Sequence, residues 1–259
     1  MKTLSIQQPW ASMICAGIKD VENRTWKPAE VSGRILIHAS SKKVTKNFNE
    51  TIPEVWESEI SDHQLFGNLP QYQDMPTSAI IGYATVTSFA EETDSVWDGG
   101  PDVIKWKLED AWLFDEPIMD VKGKLNLFDY PLDENNLPPA HQVQIKKLDV
   151  NGDNVILPLN DSFIKEVENA ENSCLNIYYA ADLTRSICKD LEPGEIAPVK
   201  TITLRAGDKE ASYELISEET HLTAVPDIED NTKPYMIKTE DGHEYPWVLV
   251  QFVFGKKLK

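Results

Sequence analysis

Two short apolar runs constrain the fold of this chain more than anything else in it. They are Gly33-Arg34-Ile35-Leu36-Ile37-His38-Ala39 and Ala79-Ile80-Ile81-Gly82-Tyr83-Ala84-Thr85-Val86-Thr87. Both are rich in β-branched residues and too short for a core helix, so each predicts a strand with much of its surface buried. Residues 104–108 and 111–114 alternate apolar and polar side chains, and Pro117 and Gly123 punctuate their exit. Leu4-Ser5-Ile6 alternates as well and stops at Gln7-Gln8-Pro9-Trp10. Pro9 suits the first turn of a helix, where its missing N–H would be unpaired anyway. Trp10, Met13 and Ile14 then recur at helical spacing up to Gly17, a fitting C-terminal cap. Residues 42–73 read as one or two polar helices anchored by Phe48, Ile52, Val55, Trp56 and Ile60. Strands with short helices between them predict an α+β class: a partly open β-barrel with flanking helices, not a parallel α/β sheet.

Residues 131–140 are polar, Pro-rich and without periodicity, which places a linker at 133–142 between a first domain, 1–132, and a second, smaller α+β domain, 143–259. In the second, Asn151-Gly152-Asp153 predicts a hairpin turn. Asp161-Ser162 caps a helix marked by Phe163, Val167 and Ala170, and a further helix is expected over 177–191. Residues 201–204, 211–216, 235–237 and 247–254 read as strands, with Asp241-Gly242 as a turn. Lys256, Lys257 and Lys259 are expected to form a disordered tail.

The 259 residues carry a formal charge of −18. Twelve basic side chains face twenty acidic ones in residues 1–132, and thirteen face twenty-three beyond them. Neither part has the basic excess with which a protein grips a phosphate backbone regardless of sequence, so nucleic-acid binding would need a local pocket. Cys15, Cys174 and Cys188 form no C-x-x-C pair and are read as free thiols. No apolar run is long enough to cross a bilayer, and the opening Met-Lys-Thr-Leu-Ser-Ile lacks a signal-peptide core. A cytoplasmic protein with no membrane partner is expected.

Three segments read together are similar to a known family. Leu4-Ser5-Ile6-Gln7-Gln8-Pro9-Trp10-Ala11-Ser12 leads to Gly17-Ile18-Lys19-Asp20-Val21-Glu22-Asn23-Arg24-Thr25-Trp26 and then to the Gly33-Arg34 strand. This order resembles the ASCH family, named for homology to activating signal cointegrator, whose signature is G-x-K-x-x-E-x-R between a first helix and a Gly-Arg strand. The resemblance covers about half the chain and leaves residues 133–259 untouched. It implies a PUA-like barrel with a cleft beside the first helix, lined by the motif side chains. Members bind RNA or DNA; some short bacterial ones cleave RNA or hydrolyse the acyl group of N4-acylated cytidines.

In chemical terms, Arg24 offers a planar fork for a phosphate or a base edge and Lys19 a compact charge for phosphate. Glu22 can accept from an exocyclic amine. The same residues also make an ordinary structural ion pair, and chemistry alone divides the two readings about evenly. Trp10 and Trp26 are candidates to stack or wall a base, beside core packing; Trp26 is the more exposed of the two by its polar neighbours. His38 is a candidate donor or proton shuttle, or a satisfied core histidine. Lys42, in a cluster with Lys43 and Lys46, can meet phosphate or lie solvated at a helix start. Lys19 with Glu22 would be the acting pair of a hydrolase, Glu22 as general base. The resemblance argues against threonine chemistry here, because the amidohydrolase members carry threonine where this chain has Glu22. The acidic stretch of Glu91, Glu92, Asp94, Asp98 and Asp102 matches no calcium loop, and no P-loop, dinucleotide fingerprint or zinc helix is present, so no metal or cofactor is expected. Three functions follow in order. The first is a module binding RNA, single-stranded nucleic acid or a modified nucleotide. The second is a hydrolase acting on RNA or an N4-acylated cytidine. The third is a protein-interaction module with a vestigial cleft, its partner chosen by the C-terminal domain.

Overall fold

The computed structural model describes every residue except 29–32, 44–51, 170–173, 180–198, 217–220, 225–226, 228–229, 231, 239–243 and 259. The described chain is mostly β and divides into two compact units of comparable length, residues 1–48 with 69–145 and residues 49–68 with 146–259.

The first unit is built on a mixed sheet. Its strands are β1 (Lys2–Gln8), β2 (Val21–Arg24), β3 (Gly33–Lys43), β4 (Ala79–Ala90), β5 (Ile104–Ile118), β6 (Leu127–Asp129) and β7 (Ala140–His141). The order across the sheet is β2-β5-β4-β3-β1-β6, with β7 added to β5; β1 and β3 run parallel and the other pairs antiparallel. The two alternating runs at 104–108 and 111–114 form the single strand β5. It bends against β4 through register shifts, and Asp110 there has φ +47°.

Period-two alternation gives the sheet two apolar faces. Leu4, Ile6, Ile35, Ile37, Ile81, Ala84, Val86 and Trp106 form one face, closed by α1 (Trp10–Cys15), in which Ala11 through Cys15 are all buried. Leu36, Ile80, Tyr83, Phe114 and Val121 form a core on the other. Helix α1 starts at Pro9, but its cap comes from an unexpected place. The buried Gln8 accepts from Ser12 N–H at 3.1 Å through Oε1 and donates to Pro76 O at 2.9 Å through Nε2. Gly17 follows with φ +75°, in the left-handed region that ends a helix.

The proline-rich stretch is not a free tether. Asp115 N–H donates to Pro139 O at 2.9 Å, and Ala140 and His141 pair with Phe114 and Leu113 on the first unit's own sheet.

In the second unit the sheet order is β10 (Cys174–Tyr179), β16 (Val248–Lys257), β12 (Lys209–Leu215), β11 (Thr201–Ala206), β9 (Asn154–Leu159), β8 (Asp149–Asn151). A further strand, β13 (His221–Ala224), joins β16, and β14 (Met236–Lys238) with β15 (Glu244–Pro246) forms a separate pair. The sheet curls as a half-barrel around Val155, Leu157, Ile202, Leu204, Tyr213, Val250 and Phe252. Gly152 turns the expected hairpin with φ +65°. Among the described residues the helices are few: α2 (Glu54–Leu65), which packs on β10, and α3 (Ile164–Asn169), which packs on β12 and β11. Thus the described residues of the part read as α+β are mostly strand. The helix expected over 177–191 is corrected at its start, because residues 177–179 are strand paired to Val248, Leu249 and Val250; the remainder lies outside the described residues, as does Asp241-Gly242. The expected disordered tail is also corrected: Lys256 and Lys257 are strand, and Lys257 Nζ donates to Glu168 O at 2.7 Å. Among the described residues, no helix is long and apolar enough to cross a membrane.

Candidate functional site: the cleft at the Lys19–Glu22–Arg24 cluster

Strand β2 carries Glu22 and Arg24 along the edge of the first unit, held in register by Glu22 opposite Trp106 and Arg24 opposite Ile104. The acidic stretch before β5 braces this edge. Trp97 is 2% exposed and donates through Nε1 to Ile18 O at 3.0 Å, while Asn23 Nδ2 donates to Trp97 O at 2.8 Å. Asp98 accepts from Thr93 and Gly100 N–H and meets the buried Lys105 ammonium at 3.1 Å. Asp98, at least, therefore has a local structural use. Among the described residues, no three His, Cys, Asp or Glu side chains are grouped to hold a metal.

The motif's three charges are stacked inward. Lys19 lies deepest, its side chain 3% exposed, donating to Val21 O and to Glu22 Oε2 at 3.2 Å. Burial pulls the Lys19 ammonium below its ordinary pKa, and the Glu22 carboxylate works against that pull. The other Glu22 oxygen, Oε1, lies 2.8 Å from Arg24 Nε as an ion pair, although the N–H is not aimed along it. Arg24 reaches out of β2 and donates through Nη2 to Ser5 O on β1 at 3.0 Å. β2 and β1 stand four strands apart in the sheet order, so the sheet must curl to bring them within one side chain's reach.

A cleft of about 410 Å³ opens where those strands converge. Trp10, Glu22, Arg24 and Lys42 line it, together with Asn23 and the polar groups of Ser5, Gln7, Ser40 and Ser41. Four of the seven residues singled out in the sequence thus meet around one cavity. Lys19 lies beneath it, as support for Glu22. Trp26 is partly buried and packs edge-on against Trp106, with ring centres 4.9 Å apart, and does not line the cleft. Trp10 meets Trp97 edge-on at 6.1 Å. Lys46 falls outside the described residues. Ser5, Ser40 and Ser41 are lining residues that the sequence did not flag; the only signal available was their place, mid-strand in β1 for Ser5 and near the end of β3 for Ser40 and Ser41, beside the motif.

His38 borders a second cleft of about 620 Å³ that shares Ser5, Ser40 and Ser41 with the first. The ring is 1% exposed, and burial holds its pKa below the ordinary histidine value. The unfolded chain therefore takes up a proton here before the folded one does. Stability from this group is fully present above the ordinary value and is lost as pH falls from there towards the lowered one. Lowering the pH from about 7.5 to about 5 should thus reduce the urea midpoint more in wild type than in His38→Gln; equal losses would show that His38 titrates normally.

Residues 4–98 match the family model described as ASCH domain. No curated protein matches the chain. With the helix, the motif charges and the Gly33-Arg34 strand in one compact unit, the N-terminal part of this chain is an ASCH domain.

Proposed function

We propose that the cleft at Arg24 binds a nucleotide or modified nucleobase presented by RNA or single-stranded nucleic acid. The observation that carries this reading is the convergence of Trp10, Glu22, Arg24 and Lys42 on one cavity of about 410 Å³ inside an ASCH domain, a PUA-like fold often associated with RNA binding. A cavity of that size lies in the range that holds small ligands. Arg24 is anchored by Ser5 O and Glu22, so its planar fork is held in place and its remaining N–H groups meet an anion with little further loss of freedom. Lys42 adds a second cation to the rim, and Trp10 offers an aromatic edge. Glu22 retains acceptor lone pairs for an exocyclic amine. In this reading Lys19 is scaffolding, because its ammonium already meets a carbonyl and a carboxylate away from the cavity.

The net charge of −18 sets the manner of binding. A long polyanion is repelled by the rest of the surface, so a short ligand held by few phosphate contacts is favoured and the salt dependence is shallow. Titration of labelled short RNA and DNA oligonucleotides tests this. Arg24→Ala is expected to weaken binding ~10-fold or more, the equivalent of one charge-assisted hydrogen bond of ~1.5–3 kcal/mol. Lys42→Ala should weaken it less and flatten the salt slope by about one phosphate contact. An absence of binding by wild type at low salt overturns the reading and leaves a protein-interaction role.

A further inference from the structure

We propose that Ser5 and His38 form a nucleophile–base pair that acts on an acyl ester or amide reaching the second cleft. The sheet itself makes the pairing. β1 and β3 are parallel neighbours, and their register sets Ser5 beside His38. Alternation turns both side chains to the face opposite Leu4, Ile6, Ile35 and Ile37. Ser5 Oγ and His38 Nδ1 are 3.1 Å apart, and His38 Nε2 is 2.9 Å from Val121 O. A carbonyl oxygen can only accept, so Nε2 carries the imidazole proton. Nδ1 then presents its lone pair, and the Ser5 hydroxyl donates to it. A hydroxyl bonded to a base that is oriented by a third group is the arrangement that activates a serine. Here the orienting group is a backbone carbonyl where hydrolases of the triad type use a carboxylate.

The pair is not sealed in the core. Ser5 and His38 both line the second cleft with Val121, Lys122, Gly123 and Lys124. Gly123 passes so close that a Cβ there would stand 2.9 Å from Ser5 Oγ and 2.7 Å from His38 Cε1. That position takes no side chain without a shift of the pair or of its own backbone, so the backbone of Gly123 fixes one wall against Ser5 and His38. Lys122 and Lys124 also line this cleft and give it positive charge. Ser5 also lines the first cleft, so a ligand held at Arg24 can extend a substituent to the hydroxyl.

The step balances without any added oxidant or metal. Ser5 Oγ bonds to the acyl carbon as its proton passes to His38 Nδ1. The tetrahedral adduct then breaks its bond to the leaving alcohol or amine, which takes that proton. Water attacks the acyl-serine ester, giving a proton to Nδ1. Collapse releases the carboxylic acid and returns the proton to Ser5 Oγ. The activity goes beyond binding at Arg24 and does not depend on it.

The test treats the full chain with a fluorophosphonate, which reacts at an activated serine by displacing fluoride. Intact mass and peptide mapping are expected to give one adduct, on Ser5, with none in Ser5→Ala. His38→Gln, which keeps a donor for Val121 O but has no comparable base, should label at least ~10-fold more slowly. No adduct on wild-type Ser5, or an adduct formed equally fast in a folded His38→Gln, overturns the proposal. If His38→Gln fails to fold, the mapped site on wild type still decides, since labelling elsewhere or nowhere refutes it. The probe contains no nucleic acid, so a labelled Ser5 with no oligonucleotide binding refutes only the binding reading, and the converse refutes only this one.

Discussion

Replacing Glu22 with alanine is expected to destabilise the N-terminal unit by ~3–5 kcal/mol, the cost typical of leaving a buried charge without its partner. Glu22 holds two cations at once, with Lys19 on Oε2 at 3.2 Å and Arg24 on Oε1 at 2.8 Å, and its own side chain is only 9% exposed. Lys19 is the reason the cost is large. Arg24 can turn to solvent, but a Lys19 side chain 3% exposed has nowhere to take its charge. Its escape is to lose the proton, because burial already favours the neutral amine and the carboxylate that opposed burial is gone. The penalty should therefore shrink as pH rises towards the alkaline range. Two units need not unfold together, so a global melt can mislead here. Hydrogen exchange at β2 and β5 reads the local opening directly, above all at Leu108 N–H, which donates to Asp20 O at 2.7 Å. A loss below ~1 kcal/mol there would show that water reaches Lys19 and that the cluster behaves as a surface pair.

That cluster also marks where reading the sequence succeeds and where it stops. G-x-K-x-x-E-x-R places Lys19, Glu22 and Arg24 near each other, but spacing carries no information on depth. Lys19 becomes the buried member and Arg24 the exposed one only because β2 pairs with β5 and the 91–102 stretch closes over its other side. Trp97 and Lys105 are part of that closure. Each looks like a solvated residue in sequence, one inside an acidic stretch and one at an alternating position, and both are buried. The apolar strands at 33–39 and 79–87 are legible because burial on both faces demands continuous hydrophobicity, and helix α1 because Gly17 ends it. Residues 177–179 are not, since a short apolar run has no period that separates helix from strand. Nor does anything local reveal that α2 belongs with the second unit. Its buried Val55 and Ile60 announce a packing face but not the sheet that receives it. Lys256 and Lys257 mislead for a similar reason, while Lys259 lies outside the described residues. Their charged ends stay near water or meet carbonyls while their stems run along a strand, Lys257 over the Tyr213 ring at 5.7 Å.

The largest effect expected from a single methyl group is at Gly82. A Cβ there would stand 2.1 Å from Trp112 O and 2.9 Å from Cys15 Sγ. The first of these is backbone and cannot swing aside, whereas Asn23, which stands against Gly99, can yield as a side chain. Gly82→Ala must therefore push β5 away from β4 at the irregular stretch where Gly82 pairs with Leu113. Overpacking of this kind costs ~1–3 kcal/mol, and a rigid carbonyl on one side with helix α1 on the other places the cost at the upper end or beyond. Gly100→Ala is the control. Nothing lies within 4 Å of its Cβ, so it suffers only from its φ of +86°, at ~1–2 kcal/mol. The two variants differ in reach as well as in size. β5 is also the strand that holds Glu22 opposite Trp106, so displacing it disturbs the cleft some distance from the methyl group. Gly82→Ala should thus lower the urea midpoint more than Gly100→Ala and weaken oligonucleotide binding with it. A Gly82→Ala protein as stable as Gly100→Ala would mean that β4 and β5 separate cheaply, and the rigid support inferred for Glu22 and Arg24 would then be wrong.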